Sequence, residues 1–316
     1  MVSVLVPTFH RPGLLSEAVE AVLAQELPEG VALETIICVS DPSNPEDVAA
    51  ATALAADPRV RVALGPAQGP AGSRNAGMRE ARGDVLAFTD DDCRPRPEWI
   101  ARALAALEGA DMVQGLTRPA GPVPPWHHSV TAVPPTWRWE TSNLVVTREM
   151  AERTGPFSTE FWTGGMPYGE DVEWGWRAVR LGARAAFTSE AVVEHAVSRR
   201  GPLATLRYYV LQGRYAQVVA RVPEARQSLA GGTWIDPRHR FIAAGLAAAI
   251  ISAGLATTGR GRPARAAAGL AGAAMLSANA GLIRGVGEGI GTRAMQEAAQ
   301  FAGCVYGSIR WRRLLL

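Results

Sequence analysis

The residues best suited to chemistry fall into a few groups. Thr89-Asp90-Asp91-Asp92-Cys93 sets three carboxylates in succession directly after an apolar run. Charges that close repel, and a bound divalent cation offsets the repulsion; hard oxygen donors suit Mg²⁺ or Mn²⁺ gripping a diphosphate. A solvated acidic turn has the same composition, so the run does not decide alone. Upstream, Gly69-Pro70-Ala71-Gly72-Ser73-Arg74-Asn75-Ala76-Gly77 is a glycine-rich turn entering a helix, with Arg74 in its first turn. Backbone donors and a guanidinium in that position can hold a phosphate. Ser40-Asp41 closes another apolar run, where the carboxylate either accepts from a base or ribose or simply turns the chain before Pro42. Gly169-Glu170-Asp171 opens a helix after Gly164-Gly165-Met166-Pro167. Asp171 suits a general base taking a proton from an attacking hydroxyl, although acids at a helix start also answer its dipole. Trp174 and Trp176 read equally as the floor of a sugar site or as core. His195, as a neutral imidazole, either completes a metal site or is structural.

Positioning these groups requires strands that end where they begin. Short apolar runs at Val2–Val6, Glu34–Val39, Arg59–Leu64, Val85–Thr89 and Met112–Leu116 read as strands. Between them, Leu14–Gln25, Glu46–Ala56, Ser73–Ala81 and Pro97–Leu107 read as helices. That alternation predicts an α/β fold whose parallel sheet is covered by helices on both faces. Ligands bind beyond the carboxyl ends of such strands, so the loops after Val6, Val39, Leu64 and Thr89 are where chemistry belongs. Arg118 to Arg138, rich in proline and carrying Trp126, His127, His128 and Trp137, is long for a connection and therefore functional or mobile. Thr141–Thr147 resumes as a strand, Glu170–Leu181 as a helix, Arg184–Thr188 as a strand and Leu203–Val222 as one long helix.

The chain has 316 residues, 47% hydrophobic and 20% charged, ample for a core and inconsistent with disorder. It contains no lysine: all 32 basic residues are arginine, which excludes a Walker-type phosphate lysine and Schiff-base chemistry. The net charge of +2 hides a division. Residues 236–316 carry ten arginines against Asp236, Glu288 and Glu297, whereas the first 235 residues carry 22 arginines against 27 acids. An acidic body with a basic, apolar tail is unlike a nucleic-acid binder and suits a body holding metal or arginine-paired phosphate, with a tail meeting anionic lipid. Three cysteines without a CxxC fit a reducing compartment, and Val2–Val6, stopped by Pro7, reads as a strand rather than a signal peptide. The body is thus expected in the cytoplasm. Phe241–Thr258 and Ala266–Ile283 are uncharged and mostly Ala and Gly, and Arg260, Arg262 and Arg265 lie between them. They span a membrane as a hairpin, lie at its surface, or pair as soluble helices. Arg310-Trp311-Arg312-Arg313 followed by three leucines suits a surface anchor. The expected division is a catalytic domain at 1–222 and a helical, membrane-associated region at 223–316.

Taken in order, Val4-Leu5-Val6-Pro7-Thr8, Asp41, Gly72-Ser73-Arg74-Asn75, Asp90-Asp91-Asp92 and Gly169-Glu170-Asp171 resemble the family 2 glycosyltransferases over about residues 2–200. The resemblance implies a GT-A fold, a Rossmann-type, mostly parallel sheet flanked by helices, and transfer of a sugar from a nucleoside-diphosphate donor to an acceptor hydroxyl with inversion. It implies that Pro7, Thr8 and Asp41 border the base and that Arg74 lines the nucleotide pocket, with Arg11, Asp90 and Asp91 also on the nucleotide. Asp90 and Asp92 match the ends of the family's Asp-x-Asp motif, Asp92 being the direct ligand of Mn²⁺ or Mg²⁺ and His195 sitting near metal or diphosphate. Asp171 matches the catalytic base, with Glu170 beside it and Trp174 in the acceptor site. The Gln-x-x-Arg-Trp motif of processive synthases is missing, since Gln212-Gly213-Arg214-Tyr215 has neither its spacing nor its tryptophan. Single addition to a lipid-linked or cell-envelope acceptor, at the cytoplasmic face of the membrane, is the corresponding expectation. A nucleotidyltransferase on a related sheet and a non-catalytic scaffold are the alternatives.

Overall fold

A computed structural model describes residues 1–124, 126–163, 166–233, 235, 239–257, 263, 266 and 290–314. The chain divides into two compact units, Met1–Arg199 and Arg200–Leu316.

The first unit is built on an eight-stranded sheet. Its strands are β1 (Val2–Thr8), β2 (Leu33–Val39), β3 (Val60–Leu64), β4 (Val85–Phe88), β5 (Cys93–Pro95), β6 (Met112–Pro119), β8 (Leu144–Thr147) and β11 (Ala185–His195). Short pairs β7 (His127–His128) with β12 (Ser198–Arg199), and β9 (Trp162–Thr163) with β10 (Met166–Pro167), lie outside it. The helices are α1 (Pro12–Leu23), α2 (Pro45–Leu54), α3 (Gly69–Glu80), α4 (Trp99–Leu107), α5 (Arg148–Thr154) and α6 (Glu170–Arg180). Every residue of β1 and β2 is buried, as both faces of a helix-covered sheet require. Val4, Val6, Ile37, Val39 and Ala87 of the sheet meet Leu15, Val19, Trp99 and Ile100 of the helices in one core. Pro12 at the first turn of α1, and Asn44 accepting from the amides of Glu46 and Asp47 at the start of α2, fix where those helices begin.

Strand order is β3-β2-β1-β4-β8-β6-β11-β5. β3, β2, β1 and β4 run parallel, as do β6 and β11. β8 departs from the parallel expectation, being antiparallel to both β4 and β6, and β5 is antiparallel to β11. The departure follows from connectivity. The chain leaves β6 at its carboxyl end and re-enters the sheet as β8 from that same end, so the connection between them begins and ends at the carboxyl ends of the parallel strands. The long proline-rich segment thereby starts and finishes at the sheet edge where ligand was expected. Its exit is anchored by Asn143, whose side chain donates to Leu116 O and Ala191 O (both 2.9 Å) and accepts from Trp99 Nε1 (2.8 Å). β11 is also longer than the run at Arg184–Thr188 suggests: the register shifts between Phe187 and Val192, and the strand resumes through His195.

The second unit holds α7 (Pro202–Leu211), α8 (Tyr215–Arg221), α9 (His239–Thr257) and α10 (Ile290–Trp311). The single helix expected at Leu203–Val222 is broken by a 3-10 turn at Gln212–Arg214. Gly213 there lies so close to α10 that an added Cβ would stand 1.9 Å from Gly303 O. That packing carries α7 and α8 with the helical unit, and the division falls earlier than the expected boundary at 222. α9 covers the first apolar run; Ala266–Ile283 and the arginines before it lie almost wholly outside the described residues. Among the described residues, no helix is long and apolar enough to cross a membrane.

Candidate active site

The carboxyl ends of β1, β4 and β11 converge on Asp90-Asp91-Asp92. The three acids part company at once. Asp91 turns inward and is buried, accepting from Thr8 Oγ1 (2.9 Å) and the Phe9 amide (3.3 Å), with Arg11 Nη1 at 3.4 Å. Burial pushes its carboxyl up to about 7 despite Arg11, because desolvation and the neighbouring Asp92 outweigh the attraction. Asp91 and Thr8 therefore clasp β1 to the acidic loop, both almost wholly buried. Pro7 is likewise buried within β1, level with Cys38 of β2. Asp90 and Asp92 retain partial exposure. Arg11 pairs with Asp92, and Arg74 Nη2 donates to Asp90 Oδ1 at 2.8 Å.

His195 reaches Asp92 through sheet register. It pairs with Cys93 across the antiparallel β5–β11 ladder, and the amide of Ala196 donates to Asp92 O at 2.7 Å. His195 Nδ1 lies 2.8 Å from Ala196 O, an atom that only accepts, so Nδ1 carries the proton in the neutral ring. Nε2 then turns its lone pair toward Asp92 Oδ1, 3.3 Å away. Two acceptors that close need a cation or a proton between them. Asp92, Cys93 and His195 offer ligand atoms within 4.8 Å of one another. Burial, then Asp90 and Asp92, hold the Cys93 thiol well above its ordinary range, so it stays protonated. A carboxylate and an imidazole oriented by a backbone carbonyl fit a hard or borderline divalent ion.

At the edge of this cleft, Asp41 accepts from the Ser43 amide (3.1 Å) and hydroxyl (2.5 Å) and meets His10 Nε2 at 3.2 Å. The Ser43 hydroxyl, then His10, holds its carboxyl below the usual value. His10 adopts a left-handed backbone (φ 56°), and its amide donates to Asp47 of α2 at 2.7 Å. The Phe9 and His10 rings stack, with centroids 3.9 Å apart.

Arg74 is the hinge of the site. It is only 4% exposed, yet it bonds both Asp90 and Glu170 Oε1 (3.2 Å), linking the acidic loop to the first turn of α6. Gly169, left-handed at φ 93°, lets the chain enter α6 so that Glu170 and Asp171 open it. Asp171 accepts from the Val172 amide at 2.8 Å. Burial first, then the charges of Glu170 and Glu140, raise its carboxyl well above the ordinary range against the pull of Arg74. Trp174 corrects its expected place in an acceptor site. It is fully buried, stacks on Phe157 (centroids 4.8 Å) and donates to Gly155 O (2.8 Å), so it presents no face to a ligand. Glu140 was not singled out by sequence, because it stands in irregular chain with no motif around it. Its neighbours Trp137 and Trp139 offered the signal of aromatic residues inside a polar loop.

The family model for glycosyl transferase family 2 matches residues 3–163. The chain belongs to that family. Glycosyltransferase AglE of Haloferax volcanii is 25% identical over 246 residues, covering 74% of this chain and 79% of that one. The GalNAc(5)-diNAcBac-PP-undecaprenol β-1,3-glucosyltransferase of Campylobacter jejuni is 32% identical over 107 residues, 33% of this glycosyltransferase and 32% of its own length. Among solved structures, the mannosyltransferase PcManGT of Pyrobaculum calidifontis, in complex with GDP-Man and Mn²⁺, aligns with a TM-score of 0.60 at 22% identity, over 97% of this chain and 86% of that one. S. aureus TarS 1-349 with UDP-GlcNAc aligns at 0.51 and 14% identity, over 99% and 92%. The GT-A fold and glycosyltransferase activity in glycan synthesis follow. The nucleotidyltransferase and scaffold alternatives fall with them. Asp171 and His195 lie beyond the matched residues, so their roles rest on geometry.

Proposed function

We propose that this glycosyltransferase moves one sugar, with inversion, from a nucleoside-diphosphate sugar to an acceptor hydroxyl, using Mn²⁺ or Mg²⁺. The observation that carries the metal dependence is the facing pair Asp92 Oδ1 and His195 Nε2 at 3.3 Å, with His195 Nδ1 turned to Ala196 O, an arrangement that a cation would satisfy. Asp92 and His195 would hold the ion, which when bound supplies positive charge for the leaving diphosphate. Arg11 stands beside Asp92 with an exposed side chain, placed to exchange its carboxylate partner for a phosphate oxygen. Asp171 takes the acceptor proton as the acceptor oxygen bonds to the sugar carbon and the bond to the diphosphate breaks. Its carboxyl, raised by burial and by Glu170, holds a proton more strongly than an ordinary aspartate, as a general base requires. Arg74 holds Glu170 and Asp90 in fixed relation, so base and donor loop move as one piece.

The structural neighbours carry GDP-Man in one case and UDP-GlcNAc in the other, which makes guanosine and uridine donors the first to test. The Campylobacter relative's name gives a PP-undecaprenol acceptor, which supports a lipid-linked acceptor here. The basic C-terminal residues Arg310, Arg312 and Arg313, beside exposed Tyr306, Ile309 and Leu314, support attachment of residues 241–316 to the cytoplasmic face of the cell membrane. The test is thermal stabilisation of the full chain by UDP and by GDP, each with and without Mn²⁺, beside Asp92→Ala. A manganese-dependent rise in Tm with one diphosphate, lost in the variant, is expected. A rise that Asp92→Ala leaves intact overturns the metal assignment.

A further inference from the structure

The proline-rich segment after β6 makes contacts that the proposed reaction does not use, and they close around His195. The amide of Thr117 donates to Ala132 O at 3.0 Å and that of Ala132 to Thr117 O at 2.9 Å, so the chain that leaves β6 comes back to it. Within that loop, His127–His128 of β7 pairs antiparallel with Ser198–Arg199 of β12, lacing the segment to the chain that follows His195. Pro119, Pro122 and Pro124 restrict the loop before folding, which lowers the entropy lost in ordering it. Ser129 stands between the two fastenings. Its hydroxyl donates to His195 O at 3.0 Å, a carbonyl that also accepts from the Ala120 amide at 2.9 Å. With its hydrogen committed there, the Ser129 oxygen turns its lone pairs to His195 Nδ1, 3.3 Å away. The proton on Nδ1 thus meets two acceptors, Ala196 O at 2.8 Å and Ser129 Oγ. The His128 ring stands edge-on to the His195 ring, with centroids 6.2 Å apart and planes at 84°.

We propose that Ser129 is a positioning residue for the metal site: it helps to hold the proton of His195 on Nδ1, so that Nε2 presents its lone pair on the Asp92 side. The inference rests on Asp92 and His195 holding the ion. A histidine that ligates a metal through one nitrogen is characteristically held through the other, and loss of such a partner weakens the metal by about 10–100-fold. The opposite tautomer would set a bare Nδ1 lone pair against Ala196 O and put a hydrogen where the ion belongs. Ser129 opposes that exchange, because donating to Nδ1 would take its hydrogen from His195 O. His195 is 5% exposed, so water has little access to replace a missing partner. This gives the proline-rich segment a task at the donor site: it delivers one hydroxyl to the back of a ligand histidine.

The experiment is Mn²⁺ binding to the full chain in the presence of UDP and of GDP, followed by the EPR signal of the free ion. Ser129→Ala is expected to weaken Mn²⁺ by about tenfold, and Ser129→Thr, which keeps the hydroxyl, to stay within about twofold of the wild type. Ser129→Cys replaces the alanine variant if that does not fold, since a thiol is a weak partner. The second readout is the histidine side-chain ¹H–¹⁵N NMR spectrum at about pH 8, where an ordinary imidazole is neutral, with His195 identified by the signals missing in His195→Gln. The wild type is expected to carry the proton on Nδ1, and Ser129→Ala to show a mixture of the two tautomers. Mn²⁺ affinity unchanged in whichever variant folds overturns the inference. Weakened Mn²⁺ with the His195 tautomer unmoved overturns it too, because the loss is then a general loosening. No Mn²⁺ binding by the wild type, or binding that Asp92→Ala leaves intact, sinks the metal assignment itself and the role of Ser129 with it.

Discussion

The two sides of Arg74 treat negative charge in opposite ways. Toward the sheet, each acid has a cation or donors of its own: Asp90 has Arg74, Asp91 has Arg11 and Thr8, and Asp92 has Arg11. Toward α6, Glu170, Asp171 and Glu140 crowd together with Arg74 as the opposing cation, and Asp171 is left with a raised carboxyl. The first arrangement suits a pocket whose arginines and ligands can be handed to a diphosphate and an ion. The second suits a group meant to accept a proton. A single buried arginine separates the two chemistries while holding them at fixed spacing.

The strongest way to break the comparison is Asp171→Asn. Loss of the base is expected to lower turnover by about 10²–10⁴-fold. In the wild type, kcat should decline as pH falls through the raised Asp171 carboxyl, because the protonated acid cannot accept; a pH–rate profile with an acid limb above the ordinary aspartate range checks the sign. Next comes Arg74→Met, which leaves Asp90 and Glu170 facing each other across a buried gap. Breaking such a pair costs about 3–5 kcal/mol, measurable as a large drop in the urea midpoint. Gly175→Ala forces Trp139 off α6 and should cost about 1–3 kcal/mol, read as a lowered urea midpoint. Trp174→Phe is the smallest change. It removes the bond to Gly155 O inside the core, at about 1 kcal/mol, and should leave acceptor KM unaltered; a changed KM would return the indole to the acceptor site.

The grouping of Asp90, Asp92 and Arg74 was largely legible in the sequence, and the physical reason is local. Strands ending in Asp41 and Asp90, and a glycine-rich turn before Arg74, are short patterns whose chemistry depends on neighbours in the chain. Even so, the inward turn of Asp91 toward Thr8 was hidden, because it depends on a pairing across 83 positions. His195 could be named but not placed: its approach to Asp92 comes from the register of β5 against β11, after a strand that polar Ser189 and Glu190 had concealed. The acceptor side was less legible. Trp174 and Trp176 sit at adjacent even positions of one helix and both are core, Trp174 stacked on Phe157 and Trp176 bonded to Trp137 O, partners that no local pattern names. The antiparallel entry of β8, which starts the strand at the carboxyl ends of β4 and β6, is a fact of topology with no local signature.

The most direct test of the separation across Arg74 is calorimetric titration of the stabilising nucleoside diphosphate, with Mn²⁺ present, into Asp171→Asn and wild type. Unchanged affinity in a variant that has lost turnover is the predicted result, since the proposed reaction has Asp171 act on the acceptor. Loss of diphosphate binding in Asp171→Asn would contradict the account, placing the donor and the base in one undivided site.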